Sequence, residues 1–314
     1  MSLLSVRDLR VAFGATTVLS GVSFDLDAGE TLAVLGESGS GKSVTAMAVM
    51  GILDSPPARV TGGEIRYRDE DLLAMPERDR RRVRGREIAM VFQDALSALN
   101  PVFTVGWQIA ETLRVREGMA RREALARAVE LMDLVRIPAA RDRVHDYPHQ
   151  FSGGMRQRVS IAMALALNPA VLIADEPTTA LDVTVQAQIL DLLADLRRER
   201  NMALLLITHD LGVVAEVADR IAVMYAGRIV EQADVRSLFR APAHPYTRAL
   251  LASAPIVGAP PNLADLPAGC AFQPRCGYSR DLCRTTVPST VDVGGGRAAA
   301  CHFAREVLVD APTR

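Results

Sequence analysis

The clearest chemical pattern in this sequence is a glycine-rich loop near the N-terminus. Residues 36–43 read GESGSGKS and fit the pattern G-x-x-x-x-G-K-[S/T], with an apolar strand before the loop and a helical pattern, Ser43–Leu53, after it. Glycines let successive backbone N–H groups curl around phosphate oxygens, and the start of the following helix adds a partial positive charge. An ordinary Gly/Ser turn is the alternative, which the flanking strand and helix disfavour. The pattern predicts a site for a nucleoside triphosphate.

The side chains of this loop have separate expected roles. Lys42 is predicted to reach the β- and γ-phosphates, and Ser43 is predicted to ligate Mg²⁺. The residues expected to surround the nucleotide are Gly36, Ser38, Gly39, Ser40, Gly41, Lys42 and Ser43.

Two carboxylates end a short apolar strand farther along the chain. Asp175 and Glu176 directly follow the run Val171–Ala174. We expect Asp175 to hold Mg²⁺ and Glu176 to polarise a water molecule for in-line attack on the γ-phosphate. Two solvated acids at a strand end are the alternative, and the preceding phosphate-binding pattern makes it the weaker one. The pair predicts that the nucleotide is hydrolysed as well as bound.

Short apolar runs must position these residues. Residues 1–30 alternate in the manner of antiparallel strands, whereas Thr31–Leu35, Val171–Ala174 and Ala203–Ile207 are compact apolar strands separated by helical patterns. Residues 105–166 are predicted to be mostly helical. Buried strands that alternate with helices predict an α/β protein with a largely parallel, helix-covered sheet.

Composition and hydropathy argue against several classes of protein. The 314 residues include 36 Lys and Arg against 37 Asp and Glu, so bulk charge gives no support for a nucleic-acid binder. The arginine-rich segment 78–86 is interpreted as a solvated helix face. The N-terminal residues do not resemble a signal peptide, and the longest uncharged apolar stretch, 159–174, is shorter than the roughly 20 residues of a membrane helix. The chain is therefore not expected to span a membrane, and a membrane role would require a partner.

A second glycine-containing segment carries a family resemblance. The sequence FSGGMRQR, which begins at Phe151, closely resembles the signature of ABC ATPases, usually written LSGGQ, with Phe151 and Met155 as departures. Ser152, Gly153 and Gly154 are retained before a helical pattern, where a hydroxyl, bare N–H groups and a helix dipole would form a second anion site. A simple serine helix cap is the alternative for this segment taken alone.

Other residues match the same family in order. Phe13 lies where the family has an aromatic residue that stacks on adenine, and a core strand aromatic is an equally good interpretation. Gln93 matches the glutamine that senses the γ-phosphate and couples to the membrane subunits, although Ala95 replaces a proline that often follows it. The loop 180–182, which ends at Asp182, matches the segment that crosses between paired subunits. His209 matches the histidine that contacts the γ-phosphate.

The resemblance implies a P-loop ABC ATPase fold with a RecA-like parallel core sheet, an N-terminal antiparallel β subdomain and a helical signature subdomain. The expected division is a nucleotide-binding domain over 1–240, with its helical part at about 100–165, and a small Cys-rich extension over 241–314. The implied catalytic residues are Glu176, His209 and Gln93, and the implied Mg²⁺ ligands are Ser43, Gln93 and Asp175. The implied ATP contacts are Phe13, the loop residues Gly36 and 38–43, Ser152, Gly153, Gly154 and Asp182.

In this family each ATP lies between the phosphate loop of one subunit and the signature of another, so two such chains must pair.

The segments Leu99–Pro101, Pro177–Gln186 and His244–Leu251 look like those of the ATPases of oligopeptide and dipeptide importers, a group that also contains nickel importers. The resemblance implies a second ATPase subunit, different or identical, and two membrane permeases that connect to an extracellular solute-binding protein. It also implies a peripheral position on the cytoplasmic face of a bacterial plasma membrane, with no nucleic-acid partner. The function that the resemblance implies is an ATP-binding and hydrolysing subunit that powers import of dipeptides or oligopeptides. The alternatives are import of nickel or another small solute, a non-transport ABC ATPase, and a P-loop kinase.

Four cysteines fall within the C-terminal segment. They are Cys270, Cys276, Cys283 and Cys301, and none occurs earlier in the chain. Four thiolates suit either tetrahedral Zn²⁺ or a [4Fe–4S] cluster, and their spacing matches neither common zinc modules nor ferredoxins. Scattered reduced cysteines are the alternative. The resemblance favours an iron–sulfur centre.

Overall fold

The computed structural model describes residues 2–94, 98–179, 181–252 and 256–309. The described residues up to 74 and from 207 onward form one compact unit, and those between 75 and 206 form a second unit. The strands are β1 (Leu4–Phe13), β2 (Thr16–Leu26), β3 (Thr31–Leu35), β4 (Ala58–Tyr67), β5 (Glu70–Asp71), β6 (Ile88–Val91), β7 (Val171–Asp175), β8 (Ala203–Ile207), β9 (Arg220–Tyr225), β10 (Arg228–Asp234), β11 (Val291–Gly294) and β12 (Arg297–Ala299). The helices are α1 (Lys42–Met50), α2 (Glu77–Val83), α3 (Val105–Glu117), α4 (Arg121–Leu134), α5 (Ala140–Arg143), α6 (Gly153–Leu165), α7 (Val183–Arg200), α8 (Leu211–Val217), α9 (Val235–Arg240), α10 (Pro245–Leu251), α11 (Asp281–Thr285) and α12 (Ala304–Val309).

The first unit contains an antiparallel sheet in the order β2-β1-β4-β5. Leu4 of β1 lies opposite Leu26 of β2 and Tyr67 of β4, and all three side chains are buried. Since side chains alternate between the two faces of a strand, Leu4 and Val6 share one face of β1. The pairing of β1 with β2 shifts between Val6 and Leu9, and beyond this irregularity the buried positions are Leu9 and Val11. The prediction of antiparallel strands near the N-terminus is confirmed.

The same unit holds five further strands in the order β11-β12-β10-β9-β3. Strand β3 runs parallel to β9, and all five residues of β3 are buried, as expected for a strand covered on both faces. The core beside β9 is aromatic: Tyr225, Tyr246 and Phe272 lie with ring centroids 4.5 to 5.4 Å apart. Two of these three rings come from residues beyond 240, so the C-terminal segment supplies part of this core.

The second unit holds strands in the order β8-β7-β6, with β6 and β7 parallel. Helices α3, α4 and α6 fall inside the stretch 105–166, which the sequence predicts to be mostly helical. Helix α2 begins one residue before the arginine-rich segment 78–86 and has no buried residue. Its Glu77 forms ion pairs with Arg80 and Arg81. That helix therefore agrees with a solvated face.

In the described part of the chain, no helix is both long enough and apolar enough to cross a membrane. The described residues after 240 fall in the same compact unit as the N-terminal strands, and within that unit β12 pairs with β10. The domain boundary predicted at residue 240 remains a prediction.

Candidate functional site

The glycine-rich loop runs from the end of β3 to the start of α1. A side chain at Gly36 would overlap the main-chain oxygen of Met224, and one at Gly41 would lie 2.7 Å from Leu19 Cδ2. Gly41 also has φ of 103°, a value that other residues rarely adopt. Glycine is thus required at both ends of the loop by the strands packed beneath it.

Lys42 is drawn into this loop. Its side chain is only 5% exposed, and Nζ donates to the carbonyl oxygens of Gly36 at 2.7 Å and Glu37 at 3.1 Å. A buried ammonium group needs such partners, since an unpaired charge away from water is costly. Ser40 is also buried, Ser43 is half-buried in the first turn of α1, and Ser38 and Gly39 are exposed at the loop tip. The loop presents main-chain N–H groups and one fixed cation, a combination that suits phosphate.

The two carboxylates at the end of β7 differ in environment. Asp175 is buried at 5% exposure, whereas Glu176 is half-buried and has φ of 46°, in the left-handed region. Oε2 of Glu176 accepts hydrogen bonds from Gln93 Nε2 and Thr179 Oγ1, both at 2.9 Å. A residue other than glycine held in this backbone region implies that its surroundings fix its direction. The structure therefore brings Gln93 and Glu176 together, as candidate catalytic residues of one unit.

The signature segment begins α6. Ser152 caps this helix, with Oγ accepting from the N–H of Met155 at 3.3 Å, and this contact is the helix cap named above as the alternative interpretation of the segment. Ser152 and Gly153 are exposed, whereas Gly154 faces α7, where an added side chain would overlap Val185. The exposed N-terminus of α6 leaves the serine and its neighbouring N–H groups accessible to an anion.

Asp182 caps α7, and its Oδ1 accepts the N–H of Val185 at 2.9 Å. Its side chain is exposed at the start of the helix. Ala95 and Ala180, named above as parts of the glutamine segment and of the crossing loop, lie outside the described residues.

His209 and Phe13 belong to the first unit, as does the phosphate-binding loop. His209 is exposed directly after β8, and the N–H of its neighbour Thr208 donates to the carbonyl oxygen of Val34 in β3 at 3.3 Å. The main chain just before the histidine therefore lies beside β3, the strand from whose end the loop emerges. Phe13 is partly exposed at the end of β1, opposite Thr16. The predicted site residues Gln93, Ser152, Gly153, Gly154, Asp175, Glu176 and Asp182 belong to the second unit.

The four cysteines are gathered in one place. Cys270, Cys276, Cys283 and Cys301 all line a single small cavity, together with other residues that include His244 and His302. All four are free thiols, and burial raises the pKa of Cys301 to about 11. Burial raises the pKa values of the Cys270 and Cys276 thiols as well. Among the described residues, no group of three or more His, Cys, Asp or Glu side chains stands in metal-binding geometry.

No sequence pattern assigns a role at the nucleotide site to Glu37, Arg275 or Tyr246. Glu37 is part of the glycine-rich loop, and Arg275 forms an ion pair with the Glu37 carboxylate at 2.6 Å. The hydroxyl oxygen of Tyr246 accepts the N–H of Glu37 at 2.9 Å. Arg275 lies 238 residues after Glu37, and no local pattern connects them. Thr179, which donates to Glu176, sits three residues after it and could have been noticed as a neighbouring hydroxyl.

Two family models match the chain. Residues 19–179 match the ABC transporter model, and residues 230–283 match the C-terminal region of oligopeptide/dipeptide transporters. The oligopeptide transport ATP-binding protein OppD of Bacillus subtilis is 52% identical over 296 residues, which cover 89% of this chain and 83% of that protein. OppD of Salmonella typhimurium is 49% identical over 322 residues, which cover 98% of this chain and 95% of that protein.

A solved structure agrees with these relatives. The dimeric ATP-binding cassette MJ0796 in a post-hydrolysis state, bound to ADP and Pi, superposes with a TM-score of 0.65 at 28% identity. The match covers 74% of this chain and 99% of that one. Family models, relatives and structural neighbour together cover the motifs described above. The chain therefore belongs to the ABC transporter family, as an ATP-binding, ATP-hydrolysing subunit of its oligopeptide/dipeptide branch.

Proposed function

We propose that this chain powers the import of dipeptides or oligopeptides by an ABC transporter. One observation carries the proposal: a phosphate-binding loop with a buried lysine inside it occurs in a chain about half identical, over nearly its whole length, to named oligopeptide transport ATP-binding proteins. The match to the oligopeptide/dipeptide C-terminal region supports peptides as the solute.

In this proposal the loop 36–43 binds the triphosphate of ATP. Lys42 supplies the positive charge, and the glycines leave the main-chain N–H groups accessible. Ser43, Gln93 and Asp175 would hold Mg²⁺, and their hydroxyl, amide and carboxylate oxygens are the ligands that this ion prefers. When bound, Mg²⁺ would neutralise part of the phosphate charge. Phe13 would stack on the adenine ring.

Glu176 is the proposed general base. Its carboxylate would accept the proton of the attacking water, and the hydrogen bonds from Gln93 and Thr179 would hold its oxygen in one orientation. His209 would contact the γ-phosphate. A general base is useful only if its direction is fixed, and the left-handed backbone of Glu176 supports that requirement.

Two such domains would enclose each ATP. Ser152, Gly153 and Gly154 of one subunit would bind the γ-phosphate held by the loop of its partner, with Asp182 at the crossing between them. ATP would then favour the paired state, and hydrolysis would remove that preference, which drives the attached permeases. The proposed assembly contains a second ATPase subunit and two permeases on the cytoplasmic face of a bacterial plasma membrane, with an extracellular solute-binding protein.

The test is purification of the tagged chain from gently solubilised native membranes, followed by mass spectrometry and peptide uptake. We expect two multispanning permeases and a second ATPase to co-purify, and Lys42→Ala to abolish uptake of a labelled peptide. Recovery of ribosomes or DNA-repair factors without any membrane protein would overturn the transport function and leave the ATPase standing.

We further propose that the four cysteines hold a metal centre, either a [4Fe–4S] cluster or Zn²⁺. The support is that all four line one cavity; because they do not stand in metal-binding geometry there, the thiols would have to move closer together to bind the metal. Because burial raises the pKa values of three of these thiols, loading would release protons and become weaker as the pH falls. Anaerobic purification with iron, sulfide and zinc analysis tests it, with Cys276→Ser as the matched variant. Absence of every metal from the anaerobic wild-type protein would refute both versions.

A further inference from the structure

The glycine-rich loop carries a carboxylate. Glu37 directly follows Gly36, and its own carbonyl oxygen accepts from the Lys42 ammonium at 3.1 Å. A negative charge in a loop that binds phosphates opposes that binding unless a cation offsets it. The partner of Glu37 therefore bears on how well the loop can hold an anion.

That partner comes from the C-terminal segment. Arg275 Nη1 lies 2.6 Å from Glu37 Oε2, and Nη2 lies 2.9 Å from Oε1, so the pair is bidentate. The Arg275 side chain is 5% exposed, against 24% for that of Glu37. A bidentate arginine–carboxylate pair shielded from water is both directional and poorly screened by salt.

The guanidinium of Arg275 is itself held in place. It donates to the carbonyl oxygens of Val257 at 3.2 Å and Ile256 at 3.4 Å, and it lies 3.4 Å from the hydroxyl of Tyr225. These contacts fix the fork in the orientation that meets Glu37. The Arg275 side chain therefore connects the C-terminal segment to the glycine-rich loop in a fixed orientation.

A second contact holds the main chain of the same residue. The hydroxyl oxygen of Tyr246 accepts the N–H of Glu37 at 2.9 Å. The Tyr246 ring is fully buried against Tyr225 and Phe272, so its hydroxyl has little freedom to move. Residues that follow position 240 thus hold Glu37 through both its side chain and its backbone.

We infer that Arg275 and Tyr246 are positioning residues of the nucleotide site, through which the C-terminal segment neutralises and orients the phosphate-binding loop. The inference rests on the proposed role of that loop in binding ATP. Neither residue is required to touch the nucleotide: Arg275 offsets the charge of Glu37, and Tyr246 fixes the direction of its peptide unit. The segment that distinguishes this branch of the family would then be part of the ATP site.

A double-mutant cycle on the full chain tests the inference. The variants are Arg275→Met, Glu37→Gln and the two combined, and the measurement is the Kd for a fluorescent ATP analogue with Mg²⁺, beside the Tm without nucleotide. We expect Arg275→Met to weaken binding about tenfold, because the Glu37 charge is then uncompensated. Glu37→Gln should bind at least as tightly as wild type, and the double variant should return to within about threefold of wild type.

Recovery of nucleotide binding in the double variant separates this role from a merely structural one. The amide introduced by Glu37→Gln cannot restore the lost ion pair with Arg275, but it removes the repulsion between the Glu37 carboxylate and the phosphates. A double variant as weak as Arg275→Met, or unchanged binding in Arg275→Met, would overturn the inference. Tyr246→Phe removes only the hydroxyl and serves if Arg275→Met does not fold: about threefold weaker binding is expected. Unchanged binding in Tyr246→Phe would count against the positioning role.

Two controls separate failure of this inference from failure of the proposed function. Arg280→Met removes another ion pair of the same segment, with the exposed Glu306, and should leave nucleotide binding at the wild-type value. Lys42→Ala should lose ATP binding. If Lys42→Ala binds normally, the loop is not the ATP site and the proposed function fails; if it loses binding while Arg275→Met keeps it, only the present inference fails.

Discussion

The side-chain amide of Gln93 donates a 2.9 Å hydrogen bond to Oε2 of Glu176, although 83 residues separate them in the chain. The hydroxyl of Thr179 donates to the same oxygen at the same distance. Two donors on one carboxylate oxygen fix the orientation of the carboxylate group. Gln93 and Glu176 are therefore expected to behave as a unit in catalysis.

Replacing Glu176 by Gln should stop hydrolysis without preventing ATP binding. The amide keeps the shape of the side chain but cannot accept a proton, so we expect kcat to fall by at least about a hundredfold. With ATP bound and not consumed, the paired state should accumulate and be visible by size-exclusion chromatography. Hydrolysis at the wild-type rate would show that another group is the base.

Replacing Gln93 by Ala should lower kcat through the loss of orientation of Glu176. We expect a decrease of about tenfold, with the Kd for ATP changed by no more than about twofold. In a chain that already carries Glu176→Gln, the Gln93→Ala change should cost no further activity, because the two residues act on one step. Additive losses in the double variant would contradict that coupling.

Adding a methyl group at Gly154 should destabilise the second unit. The new Cβ would overlap Cγ1 of Val185 on α7, and overpacking of this kind costs about 1 to 3 kcal/mol of unfolding free energy. Combining Gly154→Ala with Val185→Ala should restore most of the loss, since the overlapping atoms are removed. Urea unfolding of the single and double variants gives the measurement, and a double variant less stable than Gly154→Ala would refute the steric explanation.

The protein should lose stability as the pH falls from 7 to 5, partly because of His244. This residue is 1% exposed, and burial lowers its pKa to about 3. The unfolded imidazole takes up a proton below about pH 6.5 whereas the folded one does not, so mild acid favours unfolding, by about 2 kcal/mol at pH 5. His244→Asn keeps a side-chain acceptor for the N–H of Tyr246 and cannot titrate.

Urea midpoints of wild type and His244→Asn at pH 7, 6 and 5 measure this contribution. The stability difference between the two proteins should shift in favour of the variant as the pH decreases. Parallel curves across that range would mean that His244 does not contribute to the pH dependence.

The elements that carry the motifs could be predicted from local sequence. Thr31–Leu35 and Ala203–Ile207 coincide with β3 and β8, because continuous apolar runs between turn residues leave little freedom in where a buried strand ends. The predicted end of a helix is wrong by a few residues where a capping residue determines where the helix stops. The helical pattern after the glycine-rich loop extends to Leu53, but Gly51, with φ of 63°, ends the helix after Met50.

Residues that act across long separations could not be predicted in the same way. The pairing of Glu37 with Arg275 depends on where the C-terminal segment packs, and neither residue belongs to a motif that names the other. The roles of Gln93 and Glu176 follow separately from a family pattern, and their direct hydrogen bond becomes visible only in the structure. Local pattern therefore predicts the separate functional groups, and tertiary packing determines their connections.

The pairing of β12 with β10 has a consequence for shortened forms of the protein. A chain that ended at residue 240 would leave β10 with unpaired N–H and C=O groups along its outer side, and such an edge recruits strands from neighbouring molecules. In the intact chain the outer position is taken by β11, which has only four residues, most of them exposed, and carries Asp292. A short, charged edge is a poor template for intermolecular pairing. Truncated versions should therefore aggregate even where their ATP-binding residues are all present.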